Sequence, residues 1–396
     1  MSYNLNMYKL GAKGSAIREL FEYGKKRKAE IGDENVFDFS LGNPSIPAPS
    51  VVNDTLIDLL KNKDAVSLHG YTSAIGDSDV RKSIKEYINK TYNANVDENF
   101  IYLTCGAAAS LTVTLNALIN KGDNIITFAP FFPEYKVFIE KANGIINIVD
   151  AAPDFEINFE DLKNKINENT KALIINSPNN PTGAVLKEKT IIKFTTFLKE
   201  KEKEYNHPIY LISDEPYREI IFDNIKYPFI TNYYDDSIIC YSFSKSLSLP
   251  GERIGYIIVN KTMEDSIGVY KAICGSGRSL GFVCAPALFQ YMIPMCLGKT
   301  SDMNKYLENR DILYNSLKDI GYEIVYPDGA FYMFVKALES DANKFSEKAK
   351  AHEILIVPSD SFGIEGYVRI SYCVDKEMIK RSIKAFKELY KEYYND

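Results

Sequence analysis

Apolar residues along this chain fall mostly into short continuous runs rather than strict alternation with polar ones. The runs 124–129 (NIITFA), 144–149 (GIINIV), 172–176 (ALIIN), 209–213 (IYLIS), 238–242 (IICYS) and 254–259 (IGYIIV) predict strands buried on both faces. Between several of them lie stretches of helical period, such as 107–120 (AAASLTVTLNALIN) and 188–205 (EKTIIKFTTFLKEKEKEY). Strands alternating with helices imply an α/β fold, with a mostly parallel sheet sandwiched by helices. Beyond about residue 285 the pattern changes to one long helical stretch through Leu317. The runs YEIVY, FYMFV, ILIV and YVRIS follow, and then a closing helix from Lys376. The expectation is a large domain over 45–285 and a smaller α+β domain over 286–396. Residues 1–44, with a helix over 15–30, are read as an arm packing with the smaller domain.

Composition narrows the function classes. The 396 residues exceed one ordinary domain and can bury a large core. Forty-seven basic and fifty-three acidic residues, interspersed, give a net charge of −6. No nucleic-acid or membrane surface is expected from that balance. Lys9 and Lys13 interrupt an N-terminus without a continuous apolar core, so no signal peptide is expected. The most apolar long stretch, 282–297, is broken by Pro286, Gln290 and Pro294 and is too short to span a bilayer. Cys105, Cys240, Cys274, Cys284, Cys296 and Cys373 are scattered without paired spacing, as in reduced cytoplasmic proteins. His69, His207 and His352 are equally dispersed, which disfavours a zinc site or a Ser-His-Asp triad; no metal is expected.

In open parallel sheets ligands bind at the carboxyl ends of the strands, so the polar residues ending each run carry the candidate chemistry. Those ends read TCGAAAS (104–110), APFFPEY (129–135), NSPNNPTG (176–183), SDEPY (213–217) and SFSK (242–245). Lys245 sits among hydroxyls with Arg253 eight positions on, and a lysine ending a buried strand can act as a nucleophilic amine. Gly106, Ala107 and Ala108 leave backbone N–H groups open at a helix start, where an anion can bind. Each motif has an ordinary structural reading as well. Asn-Pro-Thr-Gly is good turn chemistry, an Asp can cap a helix, and small residues allow close helix packing.

Taken together, these strand ends resemble the class I/II aminotransferases, the fold-type-I pyridoxal phosphate enzymes of aspartate aminotransferase type, from about residue 40 to Arg369. The resemblance implies a seven-stranded sheet, pyridoxal 5'-phosphate as cofactor, and Lys245 as the Schiff-base lysine and proton-transfer base. It gives the cofactor phosphate to Ser242, Ser244, Arg253 and the Gly106, Ala107, Ala108 turn, with Tyr71 reaching the phosphate of a partner subunit. It gives the ring nitrogen to Asp214, the ring's phenolic oxygen to Tyr217 and Asn180, and the ring face to Phe132. It gives the substrate α-carboxylate to Arg369, beside Gly42 and Asn180. The segment VPSDSFG (357–363) departs from the family's usual Pro-Gly-Ser approach, which bears on side-chain preference. Ping-pong exchange of an amino group between an L-amino acid and a 2-oxo acid is implied, in a cytoplasmic homodimer with shared sites. Arg278, in GSGRSLGFVCAP, lies near the region from which aspartate-specific members send an arginine to a substrate's second carboxylate. Carbon–sulfur β-lyases share the same constellation and are the alternative. A ligand-sensing regulator of this fold is a further one, though only about forty residues precede the core.

Overall fold

The computed structural model describes residues 2–12, 14 and 16–394. A short strand β1 (Phe37–Asp38) is followed by β2 (Ile101–Thr104), β3 (Asn124–Phe128), β4 (Ile145–Val149), β5 (Thr170–Asn176), β6 (Tyr210–Asp214), β7 (Ser237–Ser242) and β8 (Gly255–Val259). The last seven form one sheet in the order β2-β8-β7-β6-β5-β3-β4. Each of the six apolar runs coincides with one of these strands to within two residues. Strand β2 falls outside them, because its run IYLT has only four residues.

Neighbours from β4 through β7 pair in parallel, whereas β8 runs antiparallel to both β7 and β2. Ser242 pairs directly with Gly255 across the base of the β7–β8 hairpin, so residues 243–254 form its loop. Every residue of β6, β7 and β8 is buried, which accounts for runs without alternation. Adjacent residues serve opposite faces. Ile174 and Ile212 pack with Leu111 and Leu115 of the helix Ala107–Leu118, while Leu173 and Leu211 pack with Phe194 and Leu198 of the helix Glu188–Tyr205.

The remaining strands are β9 (Ile324–Val325), β10 (Tyr332–Lys336), β11 (Ile354–Leu355), β12 (Val357–Pro358) and β13 (Tyr367–Ser371). They build a second sheet in the order β12-β13-β10-β9, while β11 pairs in parallel with β1. The run ILIV therefore serves two sheets, with Ile356 at the crossover. The expected long helix up to Leu317 is instead two, Ala287–Cys296 and Met303–Ile320. Gly298 at φ 73° leaves the helical region, and the Asp302 carboxylate caps the second helix by accepting from the Asn304 N–H. Met292, Ile293 and Cys296 of the first helix pack with Ile101 and Ile258 of the large sheet. Tyr306, Leu313 and Leu317 of the second pack with β10 and β13. Residues 297–302 thus link a helix packed on the large sheet to one packed on the smaller sheet.

The arm contains helices Leu5–Ala12 and Ala16–Ile31. Residue 15, the expected start of the second, lies outside the described residues. Leu20 and Val36 pack with Leu355, Val357 and Phe362, so the arm joins the smaller domain. Among the described residues no helix is long and apolar enough to cross a membrane.

Candidate active site

Asn176, Asp214 and Ser242 are the last residues of the parallel strands β5, β6 and β7, and all three border one cavity of about 270 Å³. The large domain adds Ala107, Ala108, Phe132, Asn180, Tyr217, Ser244, Lys245 and Arg253. Arg369 and Tyr332 enter from the smaller domain's sheet, and Ile17, Leu41 and Gly42 from the N-terminal segment. A smaller cavity of about 40 Å³ lies beyond Tyr135 among Thr127, Phe131 and Ile174, away from the lysine and arginines.

Lys245 stands in the β7–β8 hairpin loop, and its Nζ donates to the Gly42 carbonyl at 2.7 Å. Burial pulls its ammonium down to about 8, and Arg369 and Arg253 push in the same direction. About a tenth of the amine is thus uncharged at pH 7 and about half at pH 8. Gly42 has no alternative at its position, since a Cβ there would lie 1.9 Å from the Tyr332 hydroxyl.

At one end of the cavity the groups suit a phosphate. Gly106, at φ 87°, precedes the helix Ala107–Leu118, and a Cβ on it would sit 2.9 Å from Arg253 Nη2. The Ser242 and Ser244 hydroxyls lie 2.6 Å apart. Arg253 spends Nη1 on the Pro250 carbonyl at 2.8 Å. Helix N-terminus, paired hydroxyls and guanidinium together form a cradle for a dianion.

Asp214 lies deeper. Its Oδ2 accepts from the Tyr135 hydroxyl at 2.5 Å, while the buried Oδ1 has no partner. Burial pushes the carboxyl up to about 7. Asn176 holds the strand end in place, donating to the Asp214 carbonyl at 2.8 Å and accepting from the Asn180 N–H at 2.8 Å. An orphaned carboxylate oxygen facing a cavity is matched by a cationic N–H, the donor a protonated pyridine presents.

Arg369 is 2% exposed, and burial lowers the pKa of its guanidinium. Its Nη1 donates to Asn180 Oδ1 at 3.0 Å and its Nη2 to the Ser40 carbonyl at 2.6 Å, while Nε has no partner. Both recorded acceptors are neutral, which leaves the buried charge short of an anion. The segment 357–363 supports it from below: Phe362 lies under the guanidinium at 5.2 Å, and its carbonyl accepts from the Phe131 N–H at 3.0 Å.

The structure thus gathers Lys245, Asp214, Tyr217, Asn180, Phe132, Ala107, Ala108, Ser242, Ser244, Arg253, Gly42 and Arg369 around one space, with Gly106 beneath Arg253. Tyr71 and Arg278 stand outside it. Tyr71 is fully exposed, and Arg278 is exposed in the last turn of the helix Ser266–Leu280. Sequence reasoning missed Tyr135, Tyr332, Asn176 and the Ser40 carbonyl. Tyr135 and Asn176 lay inside quoted strand-end motifs, whereas Tyr332 read only as an apolar strand residue.

Residues 34–386 match the family described as aminotransferase class I and II. The chain is 31% identical over 386 residues to a probable aspartate aminotransferase of Methanocaldococcus jannaschii, covering 96% of this chain and 97% of that one. It is 30% identical to an aspartate aminotransferase of Pyrococcus horikoshii, with 93% and 92% covered. Among solved structures, an amino transferase from Eubacterium rectale superposes with a TM-score of 0.98 at 56% identity, over 100% of both chains.

Proposed function

This chain belongs to the class I and II aminotransferases, and from that premise we propose that it binds pyridoxal 5'-phosphate in the cavity around Lys245 and transfers amino groups from acidic L-amino acids to 2-oxo acids. The observation that carries the reading is one cavity bordered by a lysine of lowered pKa, a carboxylate with a free oxygen, and a buried arginine without an anion. When bound, the cofactor supplies an electron-withdrawing ring that stabilises charge at the amino acid's α-carbon.

Each protein group then has a defined task. Ser242, Ser244, Arg253 and the N–H groups at Ala107 and Ala108 hold the phosphate. Asp214 Oδ1 takes the ring N–H and keeps it protonated. Tyr217 and Asn180 bond the ring oxygen, and Phe132 covers the ring face. Arg369 grips the α-carboxylate through Nε and a terminal nitrogen, so the α-hydrogen is presented to Lys245. The Lys245 amine, neutral in good part near pH 8, would take up that proton and hold it for return, acting as base and then acid.

The acidic donor is supported by relatives named aspartate aminotransferases. A homodimer is supported by exposed Leu60, Val66 and Met295 on mutually packed helices and by exposed Tyr71 just after the helix Ala65–His69. In that assembly Tyr71 meets the phosphate of the other subunit, and Arg278 meets the second carboxylate of its substrate. Incubation with a panel of amino acids and 2-oxoglutarate tests the chemistry. Glutamate formation is expected, whereas ammonia and pyruvate would indicate a β-lyase and no product a sensor.

Two substitutions separate the carboxylate sites. Arg369→Lys keeps a charge but loses the planar fork, so KM for every amino acid should rise about 10- to 150-fold, the worth of one charge-assisted hydrogen bond. Cofactor absorbance should persist; a KM unchanged within twofold would remove Arg369 from the substrate. Arg278→Ala should lower kcat/KM for aspartate by a similar factor while leaving leucine unaffected. An unchanged aspartate-to-leucine ratio would free Arg278 of that role.

A further inference from the structure

Tyr332 is, with Arg369, a side chain that the smaller domain's sheet contributes to the cavity. It begins β10, is 3% exposed, and its hydroxyl lies 2.8 Å from that of Tyr217. The Arg369 guanidinium stands over its ring at 4.7 Å, and Phe334, two residues on, pairs with Arg369 across β10 and β13. Gly42, whose carbonyl accepts from the Lys245 amine, has the Tyr332 hydroxyl 1.9 Å from where a Cβ would lie, so a side chain there would displace Tyr332. One residue thus borders the groups assigned to the cofactor oxygen, the α-carboxylate and the base.

Both phenols are held neutral by burial, which pushes Tyr332 up to about 12 and raises Tyr217 well above the ordinary phenol value. Each therefore keeps one proton, and only one proton can lie between the two oxygens. We propose that Tyr332 is a positioning residue that donates to the Tyr217 oxygen, freeing the Tyr217 proton to point into the cavity, while its ring fixes the plane of Arg369. The inference rests on the proposed cofactor site. Donation through two phenols in series polarises the second O–H and strengthens it as a donor. A hydrogen bond donated to the cofactor's ring oxygen would withdraw charge from it and lower the basicity of the Lys245 Nζ when that atom is bonded to the cofactor.

The test is a spectrophotometric pH titration of the cofactor-loaded protein. Tyr332→Phe removes the hydroxyl and keeps the ring, so the pH midpoint of the cofactor absorbance should rise by about 0.4–1 unit, the size set by one neutral hydrogen bond. KM for the amino acid should stay within about twofold, because the wall under Arg369 is intact. Tyr332→Leu removes the ring as well, and KM should then rise at least fivefold. In a Tyr217→Phe background the Tyr332→Phe shift should vanish, which a general packing defect would not reproduce. A midpoint unmoved by Tyr332→Phe, or an equal shift in the Tyr217→Phe background, would overturn the inference. Absence of any cofactor band in the parent protein would instead overturn the site assignment on which it rests.

Discussion

Lys245→Ala is expected to abolish amino transfer. The substitution removes the amine that bonds the cofactor and the base that moves the α-proton, and proton transfer alone accounts for roughly 10²–10⁴-fold in rate. The geometry explains why no neighbour substitutes. His69, His207 and His352 do not border the cavity, and its other basic side chains, Arg253 and Arg369, are guanidiniums that only donate hydrogen bonds. The remaining bordering groups capable of proton transfer are Asp214, placed for the ring nitrogen, the Ser242 and Ser244 hydroxyls, placed for the phosphate, and two phenols held neutral by burial. The cradle of Ser242, Ser244 and Arg253 is untouched, so the variant should still bind pyridoxal 5'-phosphate, with the spectrum of the free aldehyde. Turnover within tenfold of the parent would exclude Lys245 as the base.

Asp214→Asn should lose activity and gain stability together. A buried carboxylate opposite a cation is worth about 2–5 kcal/mol by truncation, so the rate should fall about 30-fold to several thousand-fold. The stability effect has the opposite sign and a defined pH window. In the folded cofactor-free protein the carboxyl titrates near about 7, against about 4 in an unfolded chain. The folded state therefore binds the proton more tightly, and this stability is present below pH 4 and lost as pH rises through 7. Asparagine carries no such proton. The cofactor-free variant should thus match the parent near pH 4 and exceed it above pH 7, by up to about 4 kcal/mol on a three-unit shift. A Tm difference that does not grow between pH 4 and 7 would show that Asp214 is not held in a desolvated site.

Much of this site was legible because strand ends in a parallel sheet converge, so the polar residues closing NIITFA, ALIIN, IYLIS and IICYS had to meet. Asp214 and Lys245 are readable in that way. Tyr135 and Tyr332 were not, because a tyrosine in an apolar run reads as core and its hydroxyl's partner lies 79 residues away in one case and 115 in the other. The split of ILIV between β11 and β12 was hidden for a related reason. Four apolar residues fit one strand, and only the presence of β1 and β13 on different sides divides them. Gly298 was the readable sign that the long helix after residue 285 would break. Tyr71 and Arg278 are exposed and do not border their own cavity, so the roles proposed for them depend on a second copy of the chain.

The most direct test of the account is borohydride reduction of the cofactor-loaded protein, followed by peptide mass mapping. A single stable pyridoxyl phosphate adduct on the peptide containing Lys245, lost when the protein is first incubated with an amino donor, is the result predicted here. An adduct on another lysine, or none on a protein that carries cofactor absorbance, would contradict it.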